Sequence, residues 1–376
     1  MEFTRDLHHG RGTPARPAGV QDVAASRRGA RARAALAVLL ACVGCDGDAP
    51  APLREAAAPA HRPVPVRTYT FPTRARLQAT FVAADGRRTV VGSYPGEAGA
   101  VVRFVPPAAG EWRYTVRTVP GGRTMAAGSF LVRTAARGYV RRSGARLALD
   151  DGSPFRPLGE NRINVYDPDW NWNGLAIEEY VAHMARHGMN VLRVFVVSDV
   201  EDEEEGGVNE GVLEPRVGVF DARVAAQFDT IFRAAESHGV KVVLVAFALG
   251  FSPDDPWKSW QDNTYARERG GPAATRYDFF ESPAIRELAA GRLRYLAARW
   301  AGSPSLLAID LLNEPEWDGA IPEVSWTAWA REMTRAWDAA DPYGHLVTVG
   351  SVGLHWNVEG DEREWWSSPA CDVVQW

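Results

Sequence analysis

The 376-residue sequence predicts a parallel α/β sheet preceded by a small all-β sandwich. Three observations carry that expectation. Between residues 64 and 134, short β-branched or alternating runs are separated by turn signals, which is how an antiparallel sandwich is written. From about residue 155 onward, apolar runs of strand length alternate with helical segments. This is the pattern of a parallel sheet, either closed into a barrel or open. One of those runs, Leu306–Leu312, ends in Asn313-Glu314-Pro315. It puts a carboxylate at the C-terminal tip of a strand, the end where parallel barrels place their chemistry.

The N-terminal part precedes any fold. Arg27, Arg28, Arg31 and Arg33 are followed by the apolar run Ala34–Val43, which is too short to span a bilayer as a helix. A basic stretch followed by a short apolar one reads as a secretory signal. It closes on Cys42-Val43-Gly44-Cys45, similar to a bacterial lipoprotein cleavage box with Gly44 before a lipidated Cys45. Residues 1–45 are therefore read as a leader with an additional N-terminal prefix, and residues 46–63, rich in Ala and Pro, as a linker. The protein is expected in the cell envelope or outside the cell, held to a membrane only by a lipid on Cys45. Three cysteines make no disulfide framework.

Within the sandwich, placed at 64–137, the expected strands are 75–82, 88–91, 100–105, 111–119 and 129–133. Asp85-Gly86, Pro106-Pro107 and Pro120-Gly121-Gly122 supply the turns. A hairpin-like connector around 139–149 leads into the second region, 138–376. There the strands are read at 155–161, 190–197, 241–248, 306–313 and 346–351, with a sixth beginning at 372–376. Helices lie near 177–187, from Asp221 to His238, from Ser282-Pro283 to Trp300, and over 325–340. Asp221 has the chemistry of an N-cap, Pro283 that of a first helical residue, and Gly188, Gly239 and Gly302 that of stops. No Gly-rich loop follows the first strand, which disfavours dinucleotide binding.

A net charge of −5 gives no reason to expect a nucleic-acid partner. Tryptophan is abundant at 14 residues, nearly all after residue 151. Flat indole faces suit sugar rings, so this concentration points to a carbohydrate cleft. His183, His187 and His238 make no metal-ligand pattern with cysteine, and the acidic run 201–205 lacks the spacing of a calcium loop. No metal or cofactor is expected.

With Arg193 inside Val191-Leu192-Arg193-Val194-Phe195, with Ala298-Arg299-Trp300 before Ser303-Pro304-Ser305, and with Asn313-Glu314-Pro315, the second region resembles the glycoside hydrolases of clan A, closest to the family 5 cellulases and mannanases. The resemblance implies a (β/α)8 TIM-type barrel, here truncated after about six strands. It implies that Glu314 is the acid/base, that Asn313 bonds the sugar 2-hydroxyl, and that Arg193 pairs with a nucleophilic Glu at the end of a seventh strand, which this sequence lacks. Glu359, Asp361, Glu362 and Glu364 read better as a solvated loop. Where many family members carry a His near the end of the third strand, this chain has Phe247 and Ala248. Candidate substrate contacts are Asn161, Trp170, Trp257, Trp260, His355 and Trp356. The function implied is retaining hydrolysis of a cellulose- or mannan-like β-linked polysaccharide, inactive in a chain without the nucleophile. The alternative is a non-catalytic carbohydrate-binding surface lipoprotein.

Overall fold

The computed structural model describes residues 64–162, 176–196, 213–248, 260–315, 321–350 and 367–373. The leader, the linker and the acidic run at 201–205 lie outside these residues. The described residues all belong to one compact unit, Ala56–Trp376.

Six strands open it: β1 (Arg67–Phe71), β2 (Arg76–Ala83), β3 (Arg88–Gly96), β4 (Gly99–Phe104), β5 (Gly110–Val119) and β6 (Thr124–Val132). They pair antiparallel in the order β1-β4-β3-β2-β5-β6. The ladder does not lie flat. Phe81 of β2 stacks on Phe104 of β4 with ring centroids 3.9 Å apart, although β3 lies between their strands in hydrogen-bonding order. Two strand spacings in one layer would separate them by about 10 Å. The sheet must therefore fold over at β3, whose first half pairs with β2 and whose second half pairs with β4. At that fold the Leu77 N–H donates to the Ser93 Oγ (2.8 Å). The result is the expected sandwich, filled by Leu77, Phe81, Phe104, Trp112 and Val116. Strand β1 is additional to the strands read from sequence. Arg67, Thr68 and Thr70 are exposed along it, and its apolar residues are too few to announce a strand.

The run 155–161 was expected to be a single barrel strand, and the structure corrects this. Phe155 belongs to β9 (Pro154–Phe155), which pairs with β8 (Arg146–Leu149), itself paired with β7 (Val140–Ser143). The first parallel strand is β10 (Gly159–Arg162). Pro157, which has no N–H to donate, separates the two. Val140 and Phe155 pack with Val243, Leu307, Ala308 and Leu346, so this small sheet fills the N-terminal end of the parallel one. Lys241 reinforces the contact, its Nζ donating to the carbonyls of Gly138 (2.7 Å) and Pro304 (2.8 Å). Burial pulls that amine down to about 8.

The parallel sheet runs β10-β11-β12-β13-β14, with β11 at Val191–Phe195, β12 at Lys241–Val245, β13 at Leu306–Asp310 and β14 at Leu346–Thr348. β12, β13 and β14 are buried along their whole length, as parallel strands covered on both faces are. Helices α1 (Ile177–Arg186), α2 (Ala222–His238), α3 (Arg276–Glu281), α4 (Pro283–Trp300) and α5 (Glu323–Ala340) accompany the strands. The sequence signals operate as read: Asp221 accepts from the N–H groups of Arg223 and Val224, Gly239 closes α2 at φ 70°, and Pro283 starts α4. Where a sixth strand was expected, the Asp372 N–H donates to the Val347 carbonyl (2.9 Å) and its carboxylate accepts from the Val347 N–H (3.0 Å). The chain thus lies along β14, though residues 367–373 form no strand and 374–376 are outside the described residues.

The sandwich is bonded directly to the helical layer. Asp229 of α2 accepts from Arg299 Nη2 (2.7 Å), Trp300 Nε1 (2.9 Å) and, from β4, Arg103 Nη1 (3.3 Å). Tyr343 Oη accepts from the Val105 N–H (3.0 Å), and Tyr139 Oη donates to the Gly302 carbonyl (3.0 Å). Replacing Asp229 with Ala leaves two guanidinium groups without their carboxylate in a mostly dry contact. The expected outcome is a loss of about 3 kcal/mol in urea unfolding, and an unchanged midpoint would show the contact to be incidental.

A second buried pair makes stability depend on acid. Burial pushes the Asp341 carboxyl up, but His345 and the N–H groups of Tyr343 and His345 outweigh it and hold it below its ordinary value. The stability this contributes is complete above the unfolded carboxylate value, about 3.9, and is lost as pH falls through the folded one. Asp341→Asn is expected to flatten the fall of melting temperature with pH below about pH 4. A parallel acid limb in wild type and variant would contradict this.

Candidate active site

The inward-facing side chains at the C-terminal ends of the strands converge on one guanidinium. Arg193 sits in the middle of β11, between Asn161 of β10 and Val243 of β12 in register. Its Nε and Nη2 donate to one oxygen of Asp310, Oδ2, at 3.0 and 2.6 Å. Its Nη1 donates to Asn161 Oδ1 (2.9 Å), and its Nη2 also donates to Asn313 Oδ1 (2.8 Å). The guanidinium carbon lies 4.5 Å from the centre of the Phe195 ring, which supports it from one face. Asp310 is the last residue of β13 and is fully buried. Its second oxygen, Oδ1, accepts from the Gly350 N–H (3.0 Å).

Gly350 must be small. A Cβ there would come within 2.7 Å of Arg193 Nη2 and 3.3 Å of Asp310 Oδ2. Its backbone is also engaged, since its carbonyl accepts from the Glu314 N–H (3.1 Å) and its N–H also donates to Leu312 (3.1 Å).

Beyond β13, interstrand bonding continues. The Asn313 N–H donates to the Phe247 carbonyl (2.9 Å). Glu314 then enters the left-handed region at φ 47°, where it is the only non-glycine residue among those described. Such a conformation costs about 1–3 kcal/mol and persists only where its surroundings impose it, commonly at functional sites. Asn313 Nδ2 donates to Glu314 Oε2 (3.3 Å), so the half-buried carboxylate lies beside the amide.

The structure thus brings together four residues singled out from sequence: Asn161, Arg193, Asn313 and Glu314. Among the described residues, Arg193 donates to the Asp310 carboxylate. Sequence reading missed Asp310 and Gly350. The available signal for Asp310 was a lone charge within an otherwise apolar strand. Trp260 is 9% exposed and packs in the core, so it offers no open platform. Trp112, Trp300, Trp326, Trp329 and Trp337 are buried as well. All six described tryptophans are thus buried. Trp170, Trp257, His355, Trp356 and Cys45 lie outside the described residues. Phe247 is buried against Tyr265, Phe279 and Trp329, with Arg292 over its ring at 4.8 Å. Ala248 is buried beside Phe195 and Val245.

Residues 151–372 match the family profile described as Cellulase (glycosyl hydrolase family 5). The chain belongs to glycosyl hydrolase family 5. Among curated relatives it is 28% identical over 253 residues to the probable mannan endo-1,4-beta-mannosidase C of Aspergillus terreus, covering 60% of this chain and 58% of that protein. It is 30% identical over 242 residues to mannan endo-1,4-beta-mannosidase 2 of Oryza sativa subsp. japonica, covering 60% and 50%. The chain thus spans between half and three-fifths of these relatives. A crystal structure of a putative glycoside hydrolase from Bacteroides vulgatus superposes with a TM-score of 0.56 at 21% identity, covering 81% of this chain and 57% of that one. Coverage that wide takes in more of the chain than the family 5 match alone, and it supports the fold.

The close approach at Gly350 is testable by itself. Gly350→Ala is expected to displace Arg193 from Asn313 and to lower stability by about 1–3 kcal/mol through overpacking. Thermal unfolding checks the second effect and a crystal structure of the variant the first. An unshifted guanidinium with native stability would overturn the reading of this glycine.

Proposed function

We propose that this family 5 chain belongs to a retaining hydrolase of β-linked polysaccharide, with mannan as first candidate and cellulose as second. The observation that carries the proposal is the Asn313-Glu314 pair at the tip of β13, held in a strained turn beside the Arg193 network. The names of the curated relatives favour mannan.

The chemistry is the double displacement that the resemblance implies. A nucleophilic carboxylate attacks the anomeric carbon and the bond to the leaving oxygen breaks. Glu314, protonated at the outset, gives its proton to that oxygen, and a glycosyl–enzyme ester remains. Glu314, now a carboxylate, then takes a proton from water as the water oxygen attacks the same carbon and frees the nucleophile. Asn313 donates to the 2-hydroxyl, a contact that strengthens as charge develops on the ring. A retaining pair stands about 5–5.5 Å apart. Asp310 is not the partner of Glu314, because it is buried and both its oxygens are engaged by Arg193 and Gly350. The resemblance assigns the nucleophile to a Glu on a seventh strand. Glu359, Asp361, Glu362 and Glu364 lie outside the described residues.

The proposal includes export, on the strength of the basic and apolar leader, with Cys45 as the position for a lipid. No helix among the described residues is long and apolar enough to cross a membrane.

In the full-length protein, Glu314→Gln is expected to cut turnover of β-1,4-mannan by about 10³-fold, within the range of general acid catalysis. It should spare the first step on aryl glycosides whose leaving group needs no proton. Reducing-end release and aryl release measure the two. Unchanged mannan turnover in the variant would sink the assignment, and a wild-type protein that retains glycan without cleaving it would make this a binding protein.

A further inference from the structure

Among the polar groups of the site, Asp310 has no place in the chemistry just described, yet it makes the shortest contact there, 2.6 Å to Arg193. We propose that Asp310 is a positioning residue that acts through Arg193 to fix which way the Asn313 amide faces. This deepens the hydrolase reading and rests on it.

The argument is one of donors and acceptors. A guanidinium carries five N–H donors and no acceptor. Four of Arg193's are assigned: two to Asp310 Oδ2, one to Asn313 Oδ1 and one to Asn161 Oδ1. Because Arg193 only donates, the Asn313 amide must turn its oxygen toward the guanidinium. Its NH2 group then faces the other way, toward Glu314 Oε2 at 3.3 Å and the mouth of the strands. That is the orientation in which Asn313 donates to a sugar hydroxyl. Reversed, the amide would offer an oxygen there.

Nothing intrinsic to Asn313 selects one face, since the two ends of a carboxamide are nearly the same size. Selection comes from Arg193, and Arg193 is held by Asp310. Both the Nε edge and the Nη2 end of the guanidinium rest on Oδ2, so one carboxylate oxygen fixes position and plane together. Asp310 cannot swing away, because it is fully buried and its Oδ1 is tied to the Gly350 N–H. Orientation passes from the Gly350 backbone through Asp310 and Arg193 to Asn313 and Glu314, across β13, β11 and the segment after β14. Asparagine at position 310 breaks the sequence of contacts either way round. With its oxygen on Arg193 it points an NH2 at the Gly350 N–H, and with its oxygen on Gly350 it points an NH2 at the guanidinium.

The test is a double-mutant cycle in the full-length protein, with kcat and KM measured on β-1,4-mannan and on an activated aryl β-mannoside. Asp310→Asn is expected to lower kcat about 10²-fold on both substrates, the scale of a misplaced transition-state contact, with KM within about twofold. Loss on both substrates separates it from Glu314→Gln, which spares the activated one. On an Asn313→Ala background, Asp310→Asn should cost no more than about threefold, because the group it orients is gone. Equal losses in both backgrounds, or a lowered melting temperature with native kcat, would overturn the proposal. If Asp310→Asn alone does not fold, Asp310→Asn with Arg193→Gln removes both buried charges. Its kcat should equal that of Arg193→Gln, and a further drop would show Asp310 acting independently of the arginine. If the wild-type protein hydrolyses neither substrate, the hydrolase reading fails first and this inference with it. An active wild type with an indifferent Asp310 would overturn this inference alone.

Discussion

The ion pair between Arg193 and Asp310 is the contact on which the rest of the site depends. Removing two charges from water is costly, and a buried pair often adds little to stability over an apolar one. What this pair supplies is register. Its members come from β11 and β13, with β12 between them, and its remaining bonds reach β10 and the residue after Val349. A one-residue slip of any of these strands would turn an inward side chain outward and leave a charge unpaired. The apolar packing of Val243, Ala308 and Leu346 is non-directional, whereas the bonds of the guanidinium are directional.

Much of this was legible in the chain. Asp221 and Gly239 bracket α2, and Pro283 starts α4, because caps are local and their chemistry sits within a turn of the boundary. Glu314, Asn313 and Arg193 were singled out by the family resemblance, and Asn161 by its place after a strand. What escaped was non-local. Asp310 looked like a charge within an apolar strand, and Gly350 like the end of one. Their meaning lies in partners more than a hundred residues away for Arg193 and forty for each other. The splitting of 155–161 was hidden for a related reason. Pro157 was in plain view, but only the pairing of Phe155 with Leu147 shows that the chain changes sheets there.

Tryptophan abundance is hard to interpret by the same route. Composition cannot say which side of a helix an indole occupies. Trp329 and Trp337 on α5 and Trp300 at the end of α4 are buried, and the ring of Trp300 packs on Phe228 and Phe232. A large aromatic is as useful between helices as against a sugar, and in this chain the helical layer takes most of the tryptophans that can be placed.

The small sheet formed by β7, β8 and β9 has a consequence for how this protein can be taken apart. The family 5 match begins at residue 151, but Val140 and Lys241's acceptor Gly138 come before that point and close the floor of the parallel sheet. Arg103 and Val105, earlier still, hold the helices and the loop at Tyr343. A cut at the family boundary would uncap the apolar interior and strip Asp229 of one of its partners. The family 5 region is therefore not an exchangeable cassette: recombination, in evolution or in the laboratory, must carry the sandwich along with it or supply another floor.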